Sequence, residues 1–118
     1  MEDKQDFEKI RQYYRIKYPH FYRPKIKIRG EDNENDVVEL SERGVRFNYQ
    51  GTRQLSKGSG LHVTIIFYDG ETFQLAGELL RVENKDIILR FSSSLPLSRI
   101  MKEQIYLITR SAGHLEIV

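Results

Sequence analysis

The sequence contains no cysteine, which excludes disulfide staples and thiolate metal sites. No apolar run approaches the roughly 18 residues needed to span a bilayer, and the charged amino-terminal stretch lacks a signal-peptide hydrophobic region. A cytoplasmic location without membrane insertion is therefore expected. Net charge is only +2, too little to hold duplex DNA or a membrane surface by bulk electrostatics. Anion recognition must come from local clustering of cations. His20, His62 and His114 are far apart and share no ligand spacing of the H-E-x-x-H kind, and an exposed side chain is expected for His62. Ser41 lies in "ELSERG" rather than in a nucleophile elbow. "KGSG" lacks both the spacing and the following helix of a phosphate loop. Carboxylates are spread through turns, where solvation accounts for them. Neither catalysis nor a metal or cofactor is expected.

What is present is ordinary globular composition: 118 residues, 39% hydrophobic and 31% charged, enough for one domain over residues 1–118 with its own core. Phe7, Ile10 and Tyr14 recur at helical spacing, a weak helix that Pro19 interrupts. "KYPHFYRP" reads as an extended or turning connector. "PKIKIRG" alternates strictly, with Ile26 and Ile28 inward. After the polar turn "EDNEND", "VVEL" resumes as strand with Val38 and Leu40 on one face. "VRFNY" aligns Val45, Phe47 and Tyr49. The glycine-containing loop "GTRQLSKGSG" leads into "LHVTIIFYD", with Val63, Ile65 and Phe67 in phase. "TFQLAGELLRV" follows, with Gly77 an expected bulge, and the turn "ENKD" leads to "IILRF". The period then changes in "LPLSRIMKEQIYLITR". There Leu97, Met101 and Ile108, flanked by Ile100 and Ile105, form a helical stripe expected to face the core, and Pro96 suits the first turn. Strands do not alternate with helices, so a parallel sheet is disfavoured. The expected architecture is mainly β: a six-stranded antiparallel barrel over residues 24–91, plugged by an amphipathic helix over 95–110.

Two stretches stand out chemically. "EKIRQYYRIKYP" sets Arg11 and Arg15 four residues apart, on one face if helical, where the nearest candidates for intrahelical pairing, Glu8 and Gln12, leave Arg15 without an acidic partner. Guanidinium forks without partners suit phosphate. In "VVELSERGVRF" a strand runs in, Ser41 interrupts it, Gly44 follows, and a strand runs out. As backbone this is a β-turn, with Ser opening it and Gly supplying conformational freedom. As a site, Glu39 and Ser41 share a face, and Gly44 would let a flat ligand approach the backbone.

Together, Arg-x-x-x-Arg at residues 11–15 and Glu-x-Ser-x-x-Gly at residues 39–44 resemble the PilZ domain, the bacterial receptor module for cyclic di-GMP. "RIKYP" is similar to the lead into that family's first strand, "GELLRVENKDIILRF" to its penultimate hairpin and "LPLSRIMKEQIYL" to its closing helix. The resemblance implies an amino-terminal arm, residues 1–20, that is mobile without ligand and wraps over it. It assigns Arg11 and Arg15 to the phosphates and the Hoogsteen edge of guanine, chemistry that bidentate arginine suits. Ser41 would hydrogen-bond the guanine, Gly44 would offer backbone, and Arg81 would stack on a base or stand as an exposed strand cation.

Glu39 departs from the Asp or Asn usual at that position. One extra methylene can misplace a buried polar contact, at a cost of roughly 1–3 kcal/mol. Ile10 stands where some relatives carry a further Arg, which favours one ligand molecule over a stacked pair. The leading functional reading is a cyclic di-GMP receptor or adaptor acting on an unidentified protein partner in motility, polysaccharide or biofilm processes. One alternative is a protein-interaction module of the same fold without nucleotide binding, of the type IV pilus kind. The other is a small barrel binding single-stranded nucleic acid through Tyr13, Tyr14, Tyr18, Phe21 and Tyr22.

Overall fold

The structure, a computed structural model, describes residues 15–117. Strict alternation in "KIKI" gives β2 (Lys25–Ile28), whose two isoleucines are buried while the lysines face outward. β2 pairs antiparallel with β3 (Asn35–Leu40) on one side and β5 (Gly60–Ile66) on the other. β5 pairs with β6 (Thr72–Glu83), β6 with β7 (Asp86–Phe91), and β7 with β4 (Gly44–Asn48). A final β3–β4 pairing closes the ring, so the expected six-stranded antiparallel barrel is present, with no free edge among these six strands. A two-residue strand, β1 (Ile16–Lys17), adds to the far end of β3 with Ile16 opposite Leu40 and Lys17 opposite Glu39.

Val63, Ile65 and Phe67 point inward together, and Phe47 and Leu79 fill the centre. Two local departures from simple alternation matter. In β3 the register shifts between Val37 and Glu39, so Val37 and Leu40 are the buried pair and Val38 is only half-buried. The expected Val38/Leu40 face is thus corrected: a bulge adds one residue and turns the strand's next side chains. In β6 the bulge lies between Leu79 and Arg81, not at Gly77, which pairs regularly with Leu61 and Phe91. Gly77 is required for closeness instead. A Cβ there would lie 2.6 Å from the Arg90 carbonyl oxygen and 2.8 Å from Leu89 Cγ. The β6–β7 hairpin turns through Asn84, which takes φ = 57°, a conformation that Asn tolerates.

The chain then enters α1 (Leu97–Ile117), with the Pro96 carbonyl accepting from Arg99 N–H at 3.0 Å. The helix extends past Arg110, and its inward face is not the expected stripe. Leu97, Met101, Ile105 and Ile108 are 42–62% exposed, whereas Ile100, Arg99 and Glu103 are buried. The reason is a polar cluster at the base of the helix. Arg99 Nη2 donates to Glu103 at 2.6 Å one turn on, and its Nη1 donates to Asp69 at 2.9 Å and Glu71 at 2.6 Å. The guanidinium lies 4.0 Å over the Phe67 ring, and Tyr18 Oη donates to Glu103 at 2.8 Å. Burial opposes the Arg99 charge, but the three carboxylates outweigh it and raise its pKa. The Tyr18 hydroxyl is pushed well above its ordinary value, by burial first and then by Glu103. Carboxylate partners on both terminal nitrogens of Arg99 make the charged face of the helix the buried one, with only Arg99 Nε left without a partner in this cluster.

Candidate functional site

β1 meets β3 at Leu40 and Glu39, and this pairing places Arg15, the residue before β1, beside the end of β3. Arg15 Nη1 lies 4.0 Å from Glu39 Oε1. The bulge at Val38 and the turn after Leu40 together set the direction of Glu39, and the chain reverses through Ser41–Arg43 into β4. Ser41 holds this reversal. Its Oγ accepts from Gly44 N–H at 3.1 Å and Arg43 N–H at 3.3 Å, and its own N–H donates to the Gly44 carbonyl at 2.9 Å. Gly44 is needed for a tertiary reason. A Cβ there would lie 2.8 Å from the carbonyl oxygen of Leu89 on β7.

The turn, β4, the bulged part of β6 and β7 border an open cleft of about 530 Å³. Arg15, Glu39, Ser41, Gly44 and Arg81 all line it; Arg11 lies outside the described residues. Its walls also carry Arg43, Arg46, Lys57 and Arg90, while Leu80 and Ile88 give it an apolar part. Glu39 is the single carboxylate among the lining residues.

The cations are not equivalent. Arg46 is held by Asp86 at 2.9 Å and Glu83 at 3.2 Å, and its pKa is raised chiefly by the hydrogen bond to Asp86, which outweighs the opposing effect of burial. Arg81 pairs with Glu83 at 2.8 Å and Arg90 with Glu78 at 3.0 Å. Arg43 and Lys57 have no ion pair among the described residues, and Arg15 has only its loose contact with Glu39. The cleft thus offers three lightly engaged cations, an apolar surface and one carboxylate. That set can hold a phosphorylated ligand bearing a flat, hydrogen-bonding ring.

Sequence reasoning missed Arg43 and Lys57. Arg43 stands inside the Glu-x-Ser-x-x-Gly stretch and was legible there. Lys57 carried no signal: it reaches the cleft because its loop is pinned to β6, with Gly58 N–H donating to the Leu79 carbonyl at 2.8 Å and Leu79 N–H to the Ser59 carbonyl at 2.9 Å. Tyr18 and Tyr22 do not form a stacking platform. Tyr18 is buried and Tyr22 packs edge-on against Tyr106 at 6.2 Å, leaving Phe21 as the fully exposed one among the described members of the set, with Tyr13 and Tyr14 outside the described residues. His62 is exposed, as expected. Among the described residues no group of three or more His, Cys, Asp or Glu is placed to hold a metal ion, and no helix is long and apolar enough to cross a membrane.

The family pattern of the PilZ domain matches residues 9–107. Among solved structures, the chain is similar to the Bacillus subtilis inhibitor of motility MotI/DgrA, with a TM-score of 0.63 and 16% identity over 87% of this chain. It is also similar to Escherichia coli YcgR in complex with c-di-GMP, with a TM-score of 0.62 and 17% identity over 90% of this chain. The match spans about half of each of those proteins, 51% and 49% respectively. No curated protein sequence matches the chain significantly.

Proposed function

The chain belongs to the PilZ domain family, and on that premise we propose that it is a cyclic di-GMP receptor whose ligand-bound surface regulates a protein partner. The observation that carries the reading is the convergence of Arg15 with the Glu39–Ser41–Gly44 turn in one cation-rich cleft. The YcgR structure, which contains c-di-GMP, supports the ligand class through shared fold. In this reading Arg15 and Arg11 bind phosphate and the O6/N7 edge of one guanine. Glu39 accepts from the guanine N1–H and amino group. Arg43 and Lys57 add positive charge around the phosphodiester ring, and Leu80 and Ile88 offer the base an apolar surface. Arg81, already paired with Glu83, is available for stacking through its planar face rather than as a free cation.

Arg15 must leave Glu39 to grip phosphate. That exchange is cheap, because a 4.0 Å contact with an exposed guanidinium contributes little. Moving Arg15 also displaces the residue next to β1, whose neighbour Tyr18 bonds Glu103 of the helix, so ligand binding is felt on the helix side of the barrel.

Isothermal titration with cyclic di-GMP, with GTP and cyclic di-AMP as controls, tests the reading. Saturable, guanine-selective binding near one ligand per chain is expected. Absence of binding at tens of micromolar, checked by an optical method, would instead favour a protein-interaction module, in which Arg15–Glu39 is a closed ion pair.

A further inference from the structure

Side chains from three adjacent strands form one connected row on the outside of the barrel. Asn48 Nδ2 donates to Asp86 Oδ1 at 3.1 Å, Arg46 Nε donates to Asp86 Oδ2 at 2.9 Å, and Arg46 Nη2 donates to Glu83 Oε2 at 3.2 Å. The other oxygen of Glu83 lies 2.8 Å from Arg81 Nε. Asn48 on β4 is opposite Asp86 on β7, and Asp86 is opposite Glu83 on β6, so the row stands on paired backbone. Arg81 and Glu83, two residues apart on one strand, share a face.

The row ends at the cleft. Arg46 and Arg81 line it, whereas Glu83 and Asp86 stand behind them and are not among its lining residues. A carboxylate beside an anion-binding cleft lowers the positive potential there, so Glu83 opposes an anionic ligand by its charge. Isolated surface ion pairs contribute little, and networks contribute more. Arg90–Glu78, beside the same cleft, is the isolated kind: both partners are more than half exposed, and Glu78 meets no second cation among the described residues. Glu83 is instead gripped on both oxygens, and behind it Arg46 and Asp86 are only 29% and 21% exposed.

We propose that Glu83 is a positioning residue for the ligand cleft: held by Arg46, it fixes the guanidinium of Arg81 in advance of the nucleotide that Arg81 meets. A long side chain ordered before binding need not be ordered on contact, which is worth roughly three- to tenfold in affinity. The inference rests on the cyclic di-GMP reading of the cleft and adds to it a residue that does not touch the ligand.

Isothermal titration with cyclic di-GMP of Glu83→Gln, Glu78→Gln, Arg81→Ala and the Glu83→Gln/Arg81→Ala double variant tests this. Each glutamate substitution removes one negative charge beside the same cleft, and charge alone would leave binding unchanged or tighter in both. Glutamine offers one acceptor oxygen in place of two, so it cannot serve Arg46 and Arg81 as the carboxylate does. Positioning therefore predicts a split: Glu78→Gln unchanged or tighter, Glu83→Gln about three- to tenfold weaker. Arg81→Ala should weaken binding at least as much. In that background Glu83→Gln should cause no further loss, because Arg46 keeps its bond to Asp86. Circular dichroism spectra should match wild type, since every substituted side chain is exposed or half-buried. If Glu83→Gln or Arg81→Ala binds as tightly as wild type, or Glu83→Gln weakens binding equally with and without Arg81, the inference is overturned and the receptor reading stands. A wild type that does not bind overturns both.

Discussion

Replacing Arg99 with methionine isolates the cluster that seats the helix. Arg99 and Glu103 are 2% and 1% exposed, so the substitution leaves a carboxylate in the interior with Tyr18 Oη as its remaining donor at 2.8 Å. That carboxylate either stays charged and unpaired or takes up a proton. Protonating an ordinary glutamate at pH 7 costs about 1.36 × (7 − 4.3), or ~3.7 kcal/mol, which caps the electrostatic penalty. The cation–π contact with Phe67, at 4.0 Å, adds about 0.5–2 kcal/mol. Methionine retains part of the packing. The expected loss is therefore about 3–5 kcal/mol, the range for breaking a buried pair from one side. The variant should show a particular pH dependence. A carboxyl protonated in the folded variant and ionised when unfolded gives stability that is present below about pH 4.3 and lost as pH rises, by roughly 1.4 kcal/mol per unit. Urea denaturation of wild type and variant at pH 7.5, 6 and 5 measures this. The difference should shrink toward pH 5, and adding Glu103→Leu should recover most of it by removing the stranded charge. A loss under about 1 kcal/mol, or one independent of pH, would refute the argument that mutual pairing lets these charges be buried.

Arg15→Ala should abolish cyclic di-GMP binding and Arg11→Ala nearly so, whereas Glu39→Asp should preserve or improve it. Arg43→Ala and Lys57→Ala should each weaken binding about tenfold, near 1.4 kcal/mol, all read by isothermal titration. Gly77→Ala should destabilise the barrel by about 1–3 kcal/mol in denaturant, because the new methyl group meets the Arg90 carbonyl at 2.6 Å. Hydrogen bonds from Arg99 and then Lys102 hold the Asp69 carboxyl well below the usual carboxylate range. The folded value is below the unfolded value of about 3.9, so this stabilisation is present above that pH and lost as pH falls through the folded value. The gap in Tm between wild type and Asp69→Asn should thus be full at pH 6–7 and narrow steadily below about pH 4.

The barrel strands were legible because their period is local. Ile26/Ile28 in β2 and Val63/Ile65/Phe67 in β5 alternate with polar neighbours, and a strand's two faces follow from that alone. The bulges were not legible: Val38 and Leu80 resemble their neighbours, and only the pairing of β3 with β4 and β6 with β7 shows which residue is extra. The cleft was half legible. Arg15 and the Glu39–Gly44 stretch carry recognisable spacing, but Lys57 arrives through loop hydrogen bonds to β6 that no spacing encodes. Gly44 stood out in the sequence as a close approach for a ligand; the structure adds a close approach by β7.

By itself, then, the sequence determined the strand periods, the family and the helix's amphipathic character, because each depends on residues near one another in the chain. Tertiary structure alone decided which face of that helix is buried. Hydrophobicity favours Leu97, Met101 and Ile108 as the inward row. Asp69, Glu71 and Tyr18, distant in sequence, pair the terminal nitrogens of Arg99 and the carboxylate of Glu103, so the charged positions turn inward and the apolar row faces out. Burial of a charge is set by the partners that meet it, and those partners are assembled only when the barrel closes.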